Sequence, residues 1–151
     1  MKQSLKTLVS VAAMAKKMET LNENCLKLQE MELLNEIRLK LQEIGCLTFR
    51  TNVGKVRTPD GRWFSTGLPK GFSDLLCLRP DGVACFIETK LHPRKPTKEQ
   101  CQFILAMIKQ GCPAGVAFSV EDAIKIVEWT QDNAMDNEIC VRSYLKGAKT
   151  K

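Results

Sequence analysis

The sequence predicts an α/β fold: a mixed β-sheet flanked by helices, with an N-terminal helical extension. Three observations lead there. Apolar residues recur at helical spacing in four stretches, around 11–28, 34–44, 101–108 and 123–127. Apolar runs of strand length occupy 75–78, 83–87 and 114–118. The first two of these runs are apolar on both faces, as in a sheet covered on both sides. Taken in order as helix, three strands, helix, strand and helix, the elements describe an α/β sandwich.

At the N-terminus, Lys2 and Lys6 ahead of an apolar run imitate a signal peptide, but Lys16 and Lys17 follow it directly and the helical pattern continues. Val11, Met14, Met18, Leu21, Cys25 and Leu28 form an a/d stripe. Either the stripe pairs with a second copy, giving a homodimer through the N-terminal helix, or it docks on its own domain. A second stripe, Leu34, Ile37, Leu41 and Ile44, ends at Gly45, a residue suited to the position after a helix. Residues 46–52 alternate as a strand. The Gly- and Pro-punctuated segment 53–70 then carries Lys55, Arg57, Arg62 and Lys70 around Trp63 and Phe64. Basic residues interleaved with aromatics suit phosphate contact and base stacking, and an exposed loop anchored by its aromatics accounts for them equally.

Between the runs 75–78 and 83–87, Arg79-Pro80-Asp81-Gly82 has turn chemistry, so a hairpin is expected. Folding it about Asp81 sets Asp74 opposite Glu88, and alternation puts Glu88 and Lys90 on one face. Opposed carboxylates with Cβ atoms roughly 5 Å apart repel, and burial adds several kcal/mol per ion unless a partner neutralises them. A divalent cation resolves that conflict. Mg²⁺ accepts one or two carboxylates and leaves sites for phosphate oxygens, and Lys90 is placed to orient or deprotonate an attacking water. The arrangement suggests metal-assisted phosphodiester hydrolysis; a solvated hairpin end, with Glu88 paired to Lys90, is the structural alternative.

Downstream, Thr97 and Gln100 fit a capping box at a helix start. Cys101, Ile104, Leu105 and Ile108 stripe that helix, which stops at Gly111. Residues 114–118 form a short buried strand, and Ser119 opens a helix with Ala123, Ile124 and Val127 inward. From 130 onward the periodicity fades. Arg142, Lys146, Lys149 and Lys151 make a basic end, expected as a solvated tail. The organisation is an extension (1–28), a core domain (29–130) and a basic C-terminal segment (131–151).

The net charge of +6 over 151 residues favours a polyanionic partner. Seven scattered cysteines without a CxxC pair suggest reduced thiols and a cytoplasmic setting, and the single histidine gives little support for a zinc site. No stretch approaches the roughly 20 apolar residues of a membrane span.

The ordered series Asp74, Glu88-Thr89-Lys90 and Gln100 resembles the PD-(D/E)XK nuclease superfamily. More closely, it is similar to the VRR-NUC (virus-type replication-repair nuclease) branch found in phage proteins. The similarity runs over roughly 30–127 and includes Arg50-Thr51-Asn52-Val53-Gly54 and the segment from Phe64 to Asp74, with Ser73 where the superfamily name has Pro. The resemblance implies a restriction-endonuclease-like core and a DNA endonuclease acting on replication or repair intermediates. It implies Mg²⁺, with Mn²⁺ able to substitute, held by Asp74, Glu88, the backbone carbonyl of Thr89 and an acid near the first core helix. That acid is Glu30, with Glu32 and Glu36 as near alternatives. Lys90 would assist the nucleophile and Gln100 would support the site. DNA would approach along Lys70, with Arg50, Asn52, Lys55, Arg62 and Lys95 as further contacts. A non-catalytic DNA-binding module on the same fold, and a restriction-like or nicking endonuclease, are the alternatives.

Overall fold

A mixed four-stranded sheet positions everything else. The computed structural model describes residues 2–147. In chain order the elements are α1 (Lys2–Glu43), β1 (Leu47–Arg50), β2 (Lys55–Arg57), β3 (Trp63–Ser65), β4 (Leu75–Leu78), β5 (Ala84–Thr89), α2 (Lys98–Lys109), β6 (Ala114–Ala117), α3 (Val120–Glu128) and α4 (Gln131–Gly147). The sheet order is β1-β4-β5-β6, and β2 and β3 form a separate two-stranded ribbon. β4 is antiparallel to both neighbours, whereas β5 and β6 run parallel because α2 carries the chain back between them.

The predicted hairpin has the predicted register. Leu75 pairs with Ile87, Leu76 with Phe86, Cys77 with Cys85 and Leu78 with Ala84, so one further step sets Asp74 opposite Glu88. Alternation then sorts the two faces. Leu75, Cys77, Cys85 and Ile87 pack under Leu34, Ile37 and Leu41 of α1 and Ala123, Ile126 and Val127 of α3. On the other face, Phe86, Ala114 and Val116 meet Cys101 and Ile104 of α2 and Val141 and Tyr144 of α4. Both faces are covered, which is what a hairpin apolar on both sides requires.

Two expectations need correction. The extension and the first core helix are one continuous helix of 42 residues. Gln29 to Leu33, where a break was placed, contains only residues that favour helix, so nothing stops it. Residues 131–147 are not a solvated tail but α4, with Val141 buried against α2 and β6. Its inward positions, Ala134, Asn137, Glu138, Val141, Tyr144 and Leu145, keep helical spacing but include two polar residues, which hid the period. Lys149 and Lys151 lie outside the described residues. Among the described residues all seven cysteines are free, and no helix is long and apolar enough to cross a membrane.

Candidate active site

The β4–β5 ladder stops at Leu75 and Ile87, and the site begins where it stops. Past the last pair the backbone N–H of Thr89 has no β4 carbonyl opposite, and the Asp74 side chain takes that place: Thr89 N donates to Asp74 Oδ2 at 3.0 Å. Asp74 is itself held by β1's end, because Thr51 donates its N–H to the Asp74 carbonyl at 2.9 Å and its hydroxyl to the Ser73 carbonyl. Sequence reasoning missed Thr51. Its contact spans 22 residues and leaves no periodic signal.

Glu88 lies inside β5, paired on the far side with Val116 of β6, and is 0% exposed. Thr89 and Lys90 are buried with it, which excludes a solvated strand end. Glu88 Oε1 accepts from Lys90 Nζ at 2.5 Å and from the Gln100 amide nitrogen. Glu88 Oε2 is buried with no hydrogen-bond partner among the described residues. A buried polar atom left this way is costly and uncommon. Burial, and next the negative charge of Asp74, push the Glu88 carboxyl up to about 8 against the opposing pull of Lys90. The acid therefore carries a proton over much of the neutral range when no metal ion sits beside it.

Gln100 makes two contacts through one side chain. Its carbonyl oxygen accepts from Thr97 N at 2.8 Å and Thr97 Oγ1 accepts from Gln100 N at 3.3 Å, completing the capping box. Its amide nitrogen reaches Glu88 across the sheet face. The first turn of α2 can lie this close because of Gly71. At φ +90, a Cβ there would fall 2.4 Å from the Glu99 carbonyl group.

Glu30 of α1 lines the same hollow as Asp74, Thr89, Arg50 and Arg94. Its carboxylate is engaged, accepting from Leu91 N at 3.3 Å and Arg94 at 2.6 Å. Glu32 and Glu36 are exposed on α1. No three His, Cys, Asp or Glu side chains converge as a metal cluster among the described residues. The pair Asp74 and Glu88, with the free Glu88 Oε2, nevertheless fits an oxygen-seeking divalent cation, which needs only one or two carboxylates.

Of the expected DNA contacts, Arg50, Asn52 and Lys70 line the adjoining hollow with Asp74 and Gln100, and Lys70 also pairs with Glu99 at 2.7 Å. Lys55 stands on the β2–β3 ribbon, Arg62 pairs with Asp60 in its turn, and Lys95 is exposed before α2; none of the three lines these hollows.

The class defined so far is an α/β protein with a buried carboxylate–lysine site at the end of two central strands. No family model and no curated protein matches the chain. The chain is similar to a solved structure described as a VRR_NUC domain, at 25% identity over 66% of this chain and 94% of that one, with a TM-score of 0.48.

Proposed function

We propose that this protein is a divalent-metal-dependent nuclease that hydrolyses phosphodiester bonds in DNA. The observation that carries the proposal is Glu88: a fully buried carboxyl beside Asp74, with a lysine and an amide on one oxygen and nothing on the other. A purely structural pair gives no reason to set two carboxyls together in a buried place where one is driven to keep its proton.

Asp74 and Glu88, with the backbone carbonyl of Thr89, would hold Mg²⁺ or Mn²⁺, and Glu30 would join them only by giving up Arg94. A cation held there supplies Lewis-acid polarisation of the scissile phosphate and neutralises developing charge. The remaining work falls to the chain. Lys90, fixed against Glu88, orients the attacking water and offsets negative charge as phosphorus becomes five-coordinate. Gln100 holds the Glu88 carboxyl in one orientation, and Arg50, Lys70 and Arg94 receive the flanking phosphates.

The α1 stripe supports assembly as a homodimer. Val11, Met14, Met18, Leu21 and Leu28 are all exposed. At helical spacing they lie on the side of α1 opposite Leu34, Ile37 and Leu41, in a part of the helix where residues 11–25 are exposed on every side.

The deciding test is cleavage of branched and linear DNA with Mg²⁺ or Mn²⁺ by the purified wild type and by Glu88→Gln and Lys90→Ala. Loss of cleavage by a factor on the order of 10² or more, with circular dichroism unchanged, is expected. Undiminished turnover in either variant would refute the assignment, and binding without any product under either metal would favour a non-catalytic module.

A further inference from the structure

The β2–β3 ribbon leaves its aromatic residues in solvent. Trp63 is 69% and Phe64 61% exposed, and every residue of both strands is exposed. An isolated two-stranded ribbon is marginal in water, so something other than aromatic burial orders this one. Its turn supplies that order: Thr58 N donates to Arg62 O at 2.8 Å, Gly61 N to Thr58 O at 2.9 Å and Arg62 Nε to Asp60 Oδ2 at 2.6 Å. Its foot is closed by Thr66 N to Gly54 O at 3.1 Å and Gly54 N to Thr66 Oγ1 at 3.2 Å. The aromatics are not used to fasten the ribbon to the domain.

Register sorts the ribbon's two faces. Arg57 pairs with Trp63 and Lys55 with Ser65, so Lys55, Arg57 and Trp63 share one face, while Val56 and Phe64 share the other. The acid of the ribbon, Asp60, is neutralised by Arg62 at 2.5 Å, which leaves the surface basic around the indole. Both ends of the ribbon are rooted at the candidate active site: Thr51, Asn52 and Val53 before it, and Lys70, Gly71 and Phe72 after it, line the hollow that contains Asp74.

We infer that this ribbon is a nucleic-acid arm whose Trp63 stacks on an unpaired base while Lys55 and Arg57 hold the adjoining phosphates. The substrate class is therefore DNA with a single-stranded segment beside the scissile bond. In a duplex the base faces are already stacked on their neighbours, whereas an unpaired strand offers each base's π-face to an exposed indole. The inference rests on the nuclease reading for its biological meaning but is tested apart from catalysis.

The experiment uses full-length protein in EDTA, without divalent metal, in a Trp129→Phe background so that indole fluorescence reports Trp63 alone. The probes are a dT oligonucleotide and a blunt duplex of equal length. The dT strand should quench the fluorescence, and Trp63→Ala should weaken dT binding, read by the anisotropy of a dye-labelled strand, roughly ten- to a hundredfold, the range that base–aromatic stacking spans. Blunt-duplex binding should change by less than about threefold and Trp63→Phe should restore most of the dT affinity, because a phenyl ring still stacks. Arg57→Ala should lower the salt dependence of binding by about one charge, a slope Trp63→Ala leaves unchanged. Absence of quenching, equal losses on both probes, or self-association that Trp63→Ala abolishes would overturn the inference. Since no cleavage is measured, an inactive protein that still quenches would sink the nuclease reading and spare this one.

Discussion

Gln100 and Glu88 join a helix cap to a buried acid through one side chain: the amide oxygen of Gln100 caps α2 at Thr97 while its nitrogen hydrogen-bonds Glu88 Oε1. The two halves of the amide can be separated by substitution. Gln100→Ala loses both and should cost about 1 kcal/mol of stability, as cap removals do. Gln100→Glu keeps an acceptor for Thr97 N but replaces the donor to Glu88 with a further carboxyl beside Asp74 and Glu88. It should retain most of the stability while losing cleavage by about tenfold or more, measured by urea unfolding and turnover on the same preparations.

A pH dependence follows from Glu88. Its carboxyl keeps a proton to about pH 8 in the folded protein, against 4.5 ordinarily. Between these values the folded state binds more protons than the unfolded one. The stabilising contribution is thus complete below about pH 4.5 and is lost as pH rises through 8. Urea midpoints in EDTA should decline across that window, at no more than about 1.4 kcal/mol per pH unit from this group. Glu88→Gln should flatten the decline. Added Mg²⁺ should stabilise the wild type more at the alkaline end, since binding requires the ionised acid.

Gly71 predicts an asymmetry between two glycines. Both Gly71 (φ +90) and Gly67 (φ +82) have left-handed backbone, but a Cβ at Gly67 meets nothing, whereas one at Gly71 meets the Glu99 carbonyl at 2.4 Å. Gly67→Ala should cost about 1 kcal/mol for conformation alone. Gly71→Ala should cost about 2 kcal/mol or more and displace Gln100 from Glu88, so turnover should fall in that variant only.

The exposed stripe on α1 predicts self-association. Full-length protein should sediment as a dimer at tens of micromolar, and the double substitution Met18→Glu, Leu21→Glu should yield a folded monomer, because both side chains stand clear of the core. A monomeric wild type at those concentrations would refute the dimer.

What the sequence disclosed depended on the range of each contact. The hairpin register was legible because turn chemistry and alternation are local, and with it came the opposition of Asp74 and Glu88 and the shared face of Glu88 and Lys90. The capping box was legible for the same reason. Glu30 was placed beside the site, yet its engagement by Arg94 joins residues 64 apart and had no local signal. Thr51 escaped notice likewise. The α4 helix was obscured by Asn137 and Glu138 on its inward side, and the continuity of α1 by a change of stripe that looked like a boundary but was a change of face.

That change of face makes α1 a phased rod. Residues 11 and 30 stand about 29 Å apart along a continuous helix, one at the outward stripe and the other in the wall of the candidate site. Each residue inserted between them would turn the stripe by about 100° relative to the cleft. Seven inserted residues nearly restore the phase and lengthen the rod, whereas two carry the stripe more than halfway round. Whatever grips the stripe therefore fixes the azimuth at which the cleft meets its substrate.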